Sequence, residues 1–298
     1  MTQCTKIFII LVVFFTTVKA QEQPAIYINE FLASNVSINA DIVDFDDYSD
    51  WIELYNDEDI DVDIGGYFIT DNLNSPTRYQ FPQQLIVPAK GYLLIWADGY
   101  NDIPGHTYRR DYYPYDYYTT KYFHLNFSLS RASEEIALFN ADTVLVDSVT
   151  FGYQERDISM GRKPDGSPNW YYFGDPTPAA GNITSGVSQI EFSESPVVSV
   201  ESGFYNTAQT ISINSNASDY QVKYTLDGSR PTENSTTYTQ PLQISETTVL
   251  RVRIYEQNKL PSRIYTYSYF VNETTDLSVI SLAAFPETLW DDKIGIYG

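Results

Sequence analysis

Cysteine is nearly missing from this 298-residue chain: Cys4 is the only one. Beyond residue 4 that excludes a disulfide framework, a cysteine-ligated zinc site and a thiol nucleophile. Histidine is scarce as well, with His106 and His124 alone, so a zinc site would need two further ligands. Basic residues are few: 18 Lys and Arg stand against 39 Asp and Glu, a formal net charge of −21. Such a surface repels phosphate backbones and anionic headgroups, which argues against nucleic acid and against electrostatic adhesion to membranes. After residue 20 no apolar stretch reaches the roughly 18 residues of a spanning helix, and no long run has helical periodicity. Nucleophile–base pairs and Gly-rich phosphate loops are also missing, and no glycosidase pair can be singled out among the acids. No catalytic residue is therefore assigned.

What is present begins with a secretory signal. Lys6 precedes the apolar run IFIILVVFF, and TVKA places a cleavage after Ala20. Export with no thiol in the mature chain points to a bacterial surface or extracellular setting. The remainder is dominated by strand signals such as AIYINEF, DWIELYN, GYLLIWA, EIALFN and TVLVDSVTF. Turn chemistry separates them: IGGY at 64–67, PAKG at 88–91, KPDGS at 163–167 and LDGSRP at 226–231. Regular short strands of this kind predict an all-β chain of β-sandwiches, divided in two by the Gly-, Pro-, Ser- and Thr-rich run GDPTPAAGNITSGVSQ after Trp170. The expected layout is a signal peptide over 1–20, a first sandwich over 24–182, a linker over 183–196, a second sandwich over 197–272 and a new element over 273–298.

In the first block INEFLASN, DWIELYN, GGYFITDNLNSPTRYQFP, GYLLIWADG, EIALFNADTVLVDSVTFG and GRKPDGSPNWYYFGDPTPAAGN together resemble the bacterial lamin-tail domain, and with the Ig-like module that follows this resemblance implies two immunoglobulin-like β-sandwiches in tandem. A tyrosine-rich insertion over about 100–124 departs from it. The second block resembles the small Ig-like module named from the C-terminus of chitobiase and β-hexosaminidase, through GFYN, VKYTLDGSRPT, YTQPLQIS and TTVLRVRIYEQNKLPS. That family is an accessory module and brings no glycosidase chemistry. The last stretch, LSVISLAAFPETLWDDKIGIYG, is similar to the opening of CotH-like (spore coat protein H) kinases. None of the kinase motifs falls within it, so no kinase residue is transferred.

Two stretches invite a ligand. In DFDDYSDWIELYNDEDIDVD, residues 44–63, ten of twenty are acidic. An EF-hand register fails because Ile64 stands where Gly is needed and Thr70 where the bidentate Glu belongs. A looser calcium site from Asp44, Asp46, Asp47 and Asp50 stays open, with calcium as the one candidate cofactor. The competing reading is a solvated face: IDVDIG alternates, with Ile60, Val62 and Ile64 inward. In the insertion, Tyr112, Tyr113, Tyr117 and Tyr118 offer flat faces with polar edges that suit a polysaccharide or a cell-surface protein; the alternative is a loop packing its own rings on the sandwich. The expected role is a secreted or cell-surface, non-catalytic module for adhesion, targeting or ligand presentation. Its alternatives are the targeting front of a larger CotH-like kinase and a glycan-binding module using the insertion.

Overall fold

The computed structural model describes residues 23–39, 48–99 and 123–282, and among these every regular element is a strand. The signal segment and residues 283–298 lie outside the described residues. Seven strands make one sheet, in the spatial order Gly186–Val187, Trp170–Phe173, Ser159–Arg162, Ile26–Leu32, Asp50–Asn56, Tyr92–Ala97 and Phe123–His124. Facing it are Leu145–Phe151, Glu134–Phe139, Phe68–Thr70 and Tyr79–Gln80. Between the two sheets Ile28, Phe31, Ile52, Leu54 and Ile95 meet Ile69, Ile136, Leu138, Val149 and Phe151 in a single core. The Phe31 and Phe151 rings lie 4.5 Å apart.

A bulge in the 26–32 strand decides which side chains reach that core. Its register against the 50–56 strand shifts between Ile28 and Glu30, leaving Asn29 as the extra residue. One inserted residue reverses the alternation of faces. Ile26, Ile28 and Phe31 thus all point inward, while Glu30 and Leu32 turn to the outer face. The 50–56 strand lies between two neighbours with both faces covered: Ile52 and Leu54 enter the core, and Trp51 packs outside with Leu32, Ile38 and Trp96.

The two sheets are clamped by Arg162. Its guanidinium reaches both oxygens of Asp147 in the opposite sheet at 3.0 Å and sits 4.6 Å from the centre of the Trp170 ring. The inward reading of IDVDIG holds for Val62 and Ile64, which are buried, and fails for Ile60, which is 68% exposed. The reason is local. Residues 57–61 form a turn in which Asn56 Nδ2 donates to the Ile60 carbonyl at 2.9 Å, and the strand begins only at Val62.

The second sandwich has a five-stranded sheet ordered Gly203–Tyr205, Tyr265–Val271, Thr248–Tyr255, Gln221–Thr225 and Thr236–Thr237. Two short pairs, Pro196–Val198 with Ile213–Ser215 and Gln209–Ile211 with Leu242–Ile244, complete it around Leu250, Val252, Ile254 and Tyr269. The chain is therefore all-β, with two immunoglobulin-like sandwiches in tandem. Segment 183–196, expected as a linker, carries strand Gly186–Val187 of the first sheet and a bridge from Phe192 to Leu260 of the second module. The 26/28/31 pattern makes Phe31 the test of the bulge. Phe31→Ala should lower the stability of the first module by about 3–5 kcal/mol, read as an earlier urea midpoint with the slope unchanged.

Candidate functional site

The outer face of the seven-stranded sheet carries the most concentrated polar chemistry of the described residues. Glu30 and Glu53 are cross-strand partners, and neither is exposed to solvent. A roof made of residues 163–182 closes over them. Ser159 Oγ donates to Glu30, as does the Thr177 N–H at 3.2 Å. Glu53 Oε1 accepts from Asn29 Nδ2 at 3.1 Å, and the Ala179 backbone N–H also acts on this carboxyl. Asp165, in the KPDGS turn, accepts from Tyr92 Oη at 2.7 Å, Asn29 Nδ2 at 3.0 Å and the Asn182 N–H at 3.1 Å. Asn182 Nδ2 donates to the Arg162 carbonyl at 2.8 Å. The layers are close enough that a Cβ on Gly161 would stand 2.8 Å from Asn182 Nδ2.

Two neighbouring carboxyls in a dry layer cannot both ionise cheaply. Burial pushes Glu30 up to about 7, even though the hydrogen bonds from Ser159 and Thr177 favour its charge. Burial first, and then the repulsion of Glu30, hold Glu53 well above the usual carboxylate range. Glu30 has the richer set of donors, so the proton of the pair belongs on Glu53. A shared proton resembles general acid–base machinery, but such a group must come within hydrogen-bond reach of a substrate. Sealed beneath the roof, this pair does not.

The roof continues outward at Gly174 and Asp175, where it becomes the seat of the second module. Arg253 Nη1 meets Asp175 Oδ1 at 2.8 Å, with both side chains buried. The other oxygen of Asp175 accepts from Tyr255 Oη at 2.8 Å and from the Glu233 N–H at 2.9 Å. Arg230, from the LDGSRP turn, donates to the Gly174 carbonyl at 3.0 Å; burial, and then the like charge of Arg253, pull it down to about 10. Pro261 packs where a side chain on residue 174 would stand. Around this node Ile158 and Val187 of the first module bury Leu260 of the second. Beside it lies a cleft of about 750 Å³ with walls from both modules.

Of the expected ligand residues, Tyr112, Tyr113, Tyr117, Tyr118, Asp44, Asp46 and Asp47 lie outside the described residues. Asp50 is described: it accepts the Asn35 N–H at 2.9 Å, and burial pushes it up to about 7. Among the described residues no group of three His, Cys, Asp or Glu is placed to hold a metal. The acids after the 50–56 strand tie down turns. Glu58 accepts the Ala25 N–H, Asp61 the Ala89 N–H and Asp63 the Gly65 N–H, while Asp57 pairs with Lys90 at 2.8 Å. His124 is buried with its Nδ1 2.6 Å from Asp98, at the base of the tyrosine-rich insertion. Glu30, Glu53, Asp165 and Asp175 are not among the site residues expected from sequence. For Glu53 the available signal was an acid between apolar neighbours in WIELY.

Both networks make predictions. Folded protein holds protons on Glu30 and Glu53 at pH values where the unfolded chain, near the ordinary value of about 4.3, has released them. For Glu30 that stability is complete below about pH 4.3 and is lost as pH rises through about 7, and for Glu53 it runs in the same direction. The urea midpoint should therefore fall between pH 5 and 8, and Glu53→Gln should make that fall smaller. Asp227 and Glu256, held low chiefly by hydrogen bonds from Ser229 and from the Glu194 backbone, stay ionised over the window. At the junction, Asp175→Ala strands a buried guanidinium, a loss of about 3–5 kcal/mol. Calorimetry should then resolve two melting transitions where the parent protein gives one.

Comparison with known families agrees with this geometry. Residues 19–153 match the family model of the Lamin Tail Domain, and residues 200–266 match that of the Chitobiase/beta-hexosaminidase C-terminal domain. A comparison with curated proteins finds no match. The strands at 159–162, 170–173 and 186–187 carry the first sheet beyond the matched stretch. The chain thus joins two immunoglobulin-like β-sandwich modules, the first of lamin-tail type and the second of chitobiase C-terminal type.

Proposed function

We propose that the chain is a non-catalytic modular unit of the cell exterior, in which two locked sandwiches hold an adhesive or ligand-presenting surface at a set distance and angle. The observation that carries this reading is the junction: a buried ion pair, a tyrosine hydroxyl and an apolar cluster join the modules. A flexible tether needs none of these. Its non-catalytic character is supported by the enclosure of Glu30 and Glu53 at 0% exposure. Export is supported by Lys6, IFIILVVFF and TVKA. The partner class is a polysaccharide or a cell-surface protein, with Tyr112, Tyr113, Tyr117 and Tyr118 as the contact residues of the insertion.

A second reading makes the pair of sandwiches the targeting front of a longer CotH-like kinase. One observation favours it: Leu277, Ile280 and Leu282, in the stretch similar to that family, are 79–85% exposed, as apolar residues are when a following domain covers them. A single measurement separates the readings. The native exported polypeptide should begin at Gln21, stay outside the cell and show no phosphoryl transfer or hydrolysis. Recovery from the cytoplasm with Met1 intact would overturn export, and a much longer, phosphorylating polypeptide would establish the second reading.

A further inference from the structure

We propose that the cleft between the two modules is a binding site for a neutral oligosaccharide. Its volume of about 750 Å³ lies within the range of small-ligand sites. Its walls are unusual for such a site, because charged, amide and phenolic groups outnumber aliphatic ones. That excludes a lipophilic ligand and suits one rich in hydroxyls, each of which both donates and accepts.

The charges support the choice of a neutral ligand. Lys163, Lys223 and Lys259 line the cleft together with Asp219, Glu233 and Glu256. The fourth acid there, Asp175, is committed to Arg253. Lys90 is the one lysine of the described residues that lies elsewhere. In a chain of net charge −21 this gathering of ammonium groups leaves the cleft close to neutral, while the acidic surface around it repels a polyanion.

The donors and acceptors are held in place before any ligand arrives. Lys163 Nζ donates to the carbonyls of Ile183, at 3.0 Å, and Thr184. Lys223 Nζ donates to Thr237 Oγ1 at 2.8 Å and keeps further protons for a ligand. Tyr220, whose Oη accepts the Ser215 N–H at 3.1 Å, and Tyr171 on the opposite wall are both half-buried. Their rings line the cleft and supply the aromatic surface on which the C–H face of a sugar stacks. Gln221 and Gln257 are exposed at the rim. Preorganisation of this kind reduces the ordering cost of binding. The proposal rests on the docked junction, and is independent of export and of the absence of catalysis.

The test uses the mature chain, residues 21–298, on a printed panel of neutral gluco-, xylo-, manno- and N-acetylgluco-oligosaccharides alongside oligouronates, followed by calorimetry. At least one neutral series should bind with a Kd below about 1 mM. Lys223→Met and Gln257→Ala should each weaken it by tenfold or more, with the melting temperature unchanged. Binding to oligouronates alone, or to nothing on the panel, would overturn the proposal. So would neutral binding that survives both cleft variants and disappears when Tyr112, Tyr113, Tyr117 and Tyr118 become Ala, since that places the sugar on the insertion. Solution scattering of the parent protein reports independently whether the modules are docked.

Discussion

Two carboxyls on the outer face of one strand pair set the terms for much of this molecule. Glu30 and Glu53 stand side by side on strands whose other faces build the core. Left open to water, they would be an ordinary solvated edge. Here they are covered, and covering them requires a roof rich in donors that leaves room for a shared proton. The segment 163–182 supplies it, through Asp165, Thr177 and Asn182. Because that roof is pinned from below, Gly174 and Asp175 stand at a defined place, and the second module docks there.

The acidity of the chain divides into two populations with opposite physics. Asp57, Asp59, Asp61 and Asp63 sit in water, and Asp61 and Asp63 accept backbone N–H groups in turns. Glu30, Glu53 and Asp50 are drawn out of water and their proton affinity rises. Composition counts both kinds alike. Burial separates them.

The strands were largely legible because their side chains repeat with the period of a pleat. Ile52 and Leu54 against Trp51, Glu53 and Tyr55 could be sorted into faces from DWIELYN alone. The bulge at Asn29 was not legible, since INEF reads as plain alternation until a partner strand sets its register. Ile60 was misplaced for a similar reason: alternation continues through IDVDIG, but the hydrogen bond from Asn56 holds residues 57–61 in a turn. The KPDGS and LDGSRP turns were recognised by their residues. Their second tasks, Asp165 beneath the roof and Arg230 in the junction, depend on segments distant in sequence.

By itself, then, the sequence determined the all-β character, the division into two sandwiches, the turns and the strand that anchors the first module. These are local matters of periodicity and backbone preference. Tertiary structure alone decided which acids are buried, which glycines are crowded, that segment 183–196 is strapped to both modules, and that a mixed-charge cleft opens between them. Each of these depends on contacts between residues far apart in the chain, 147 positions from Glu30 to Thr177 and 193 from Ser37 to Arg230. No local pattern encodes such a distance, because the environment that sets the chemistry exists only once the chain has closed around it.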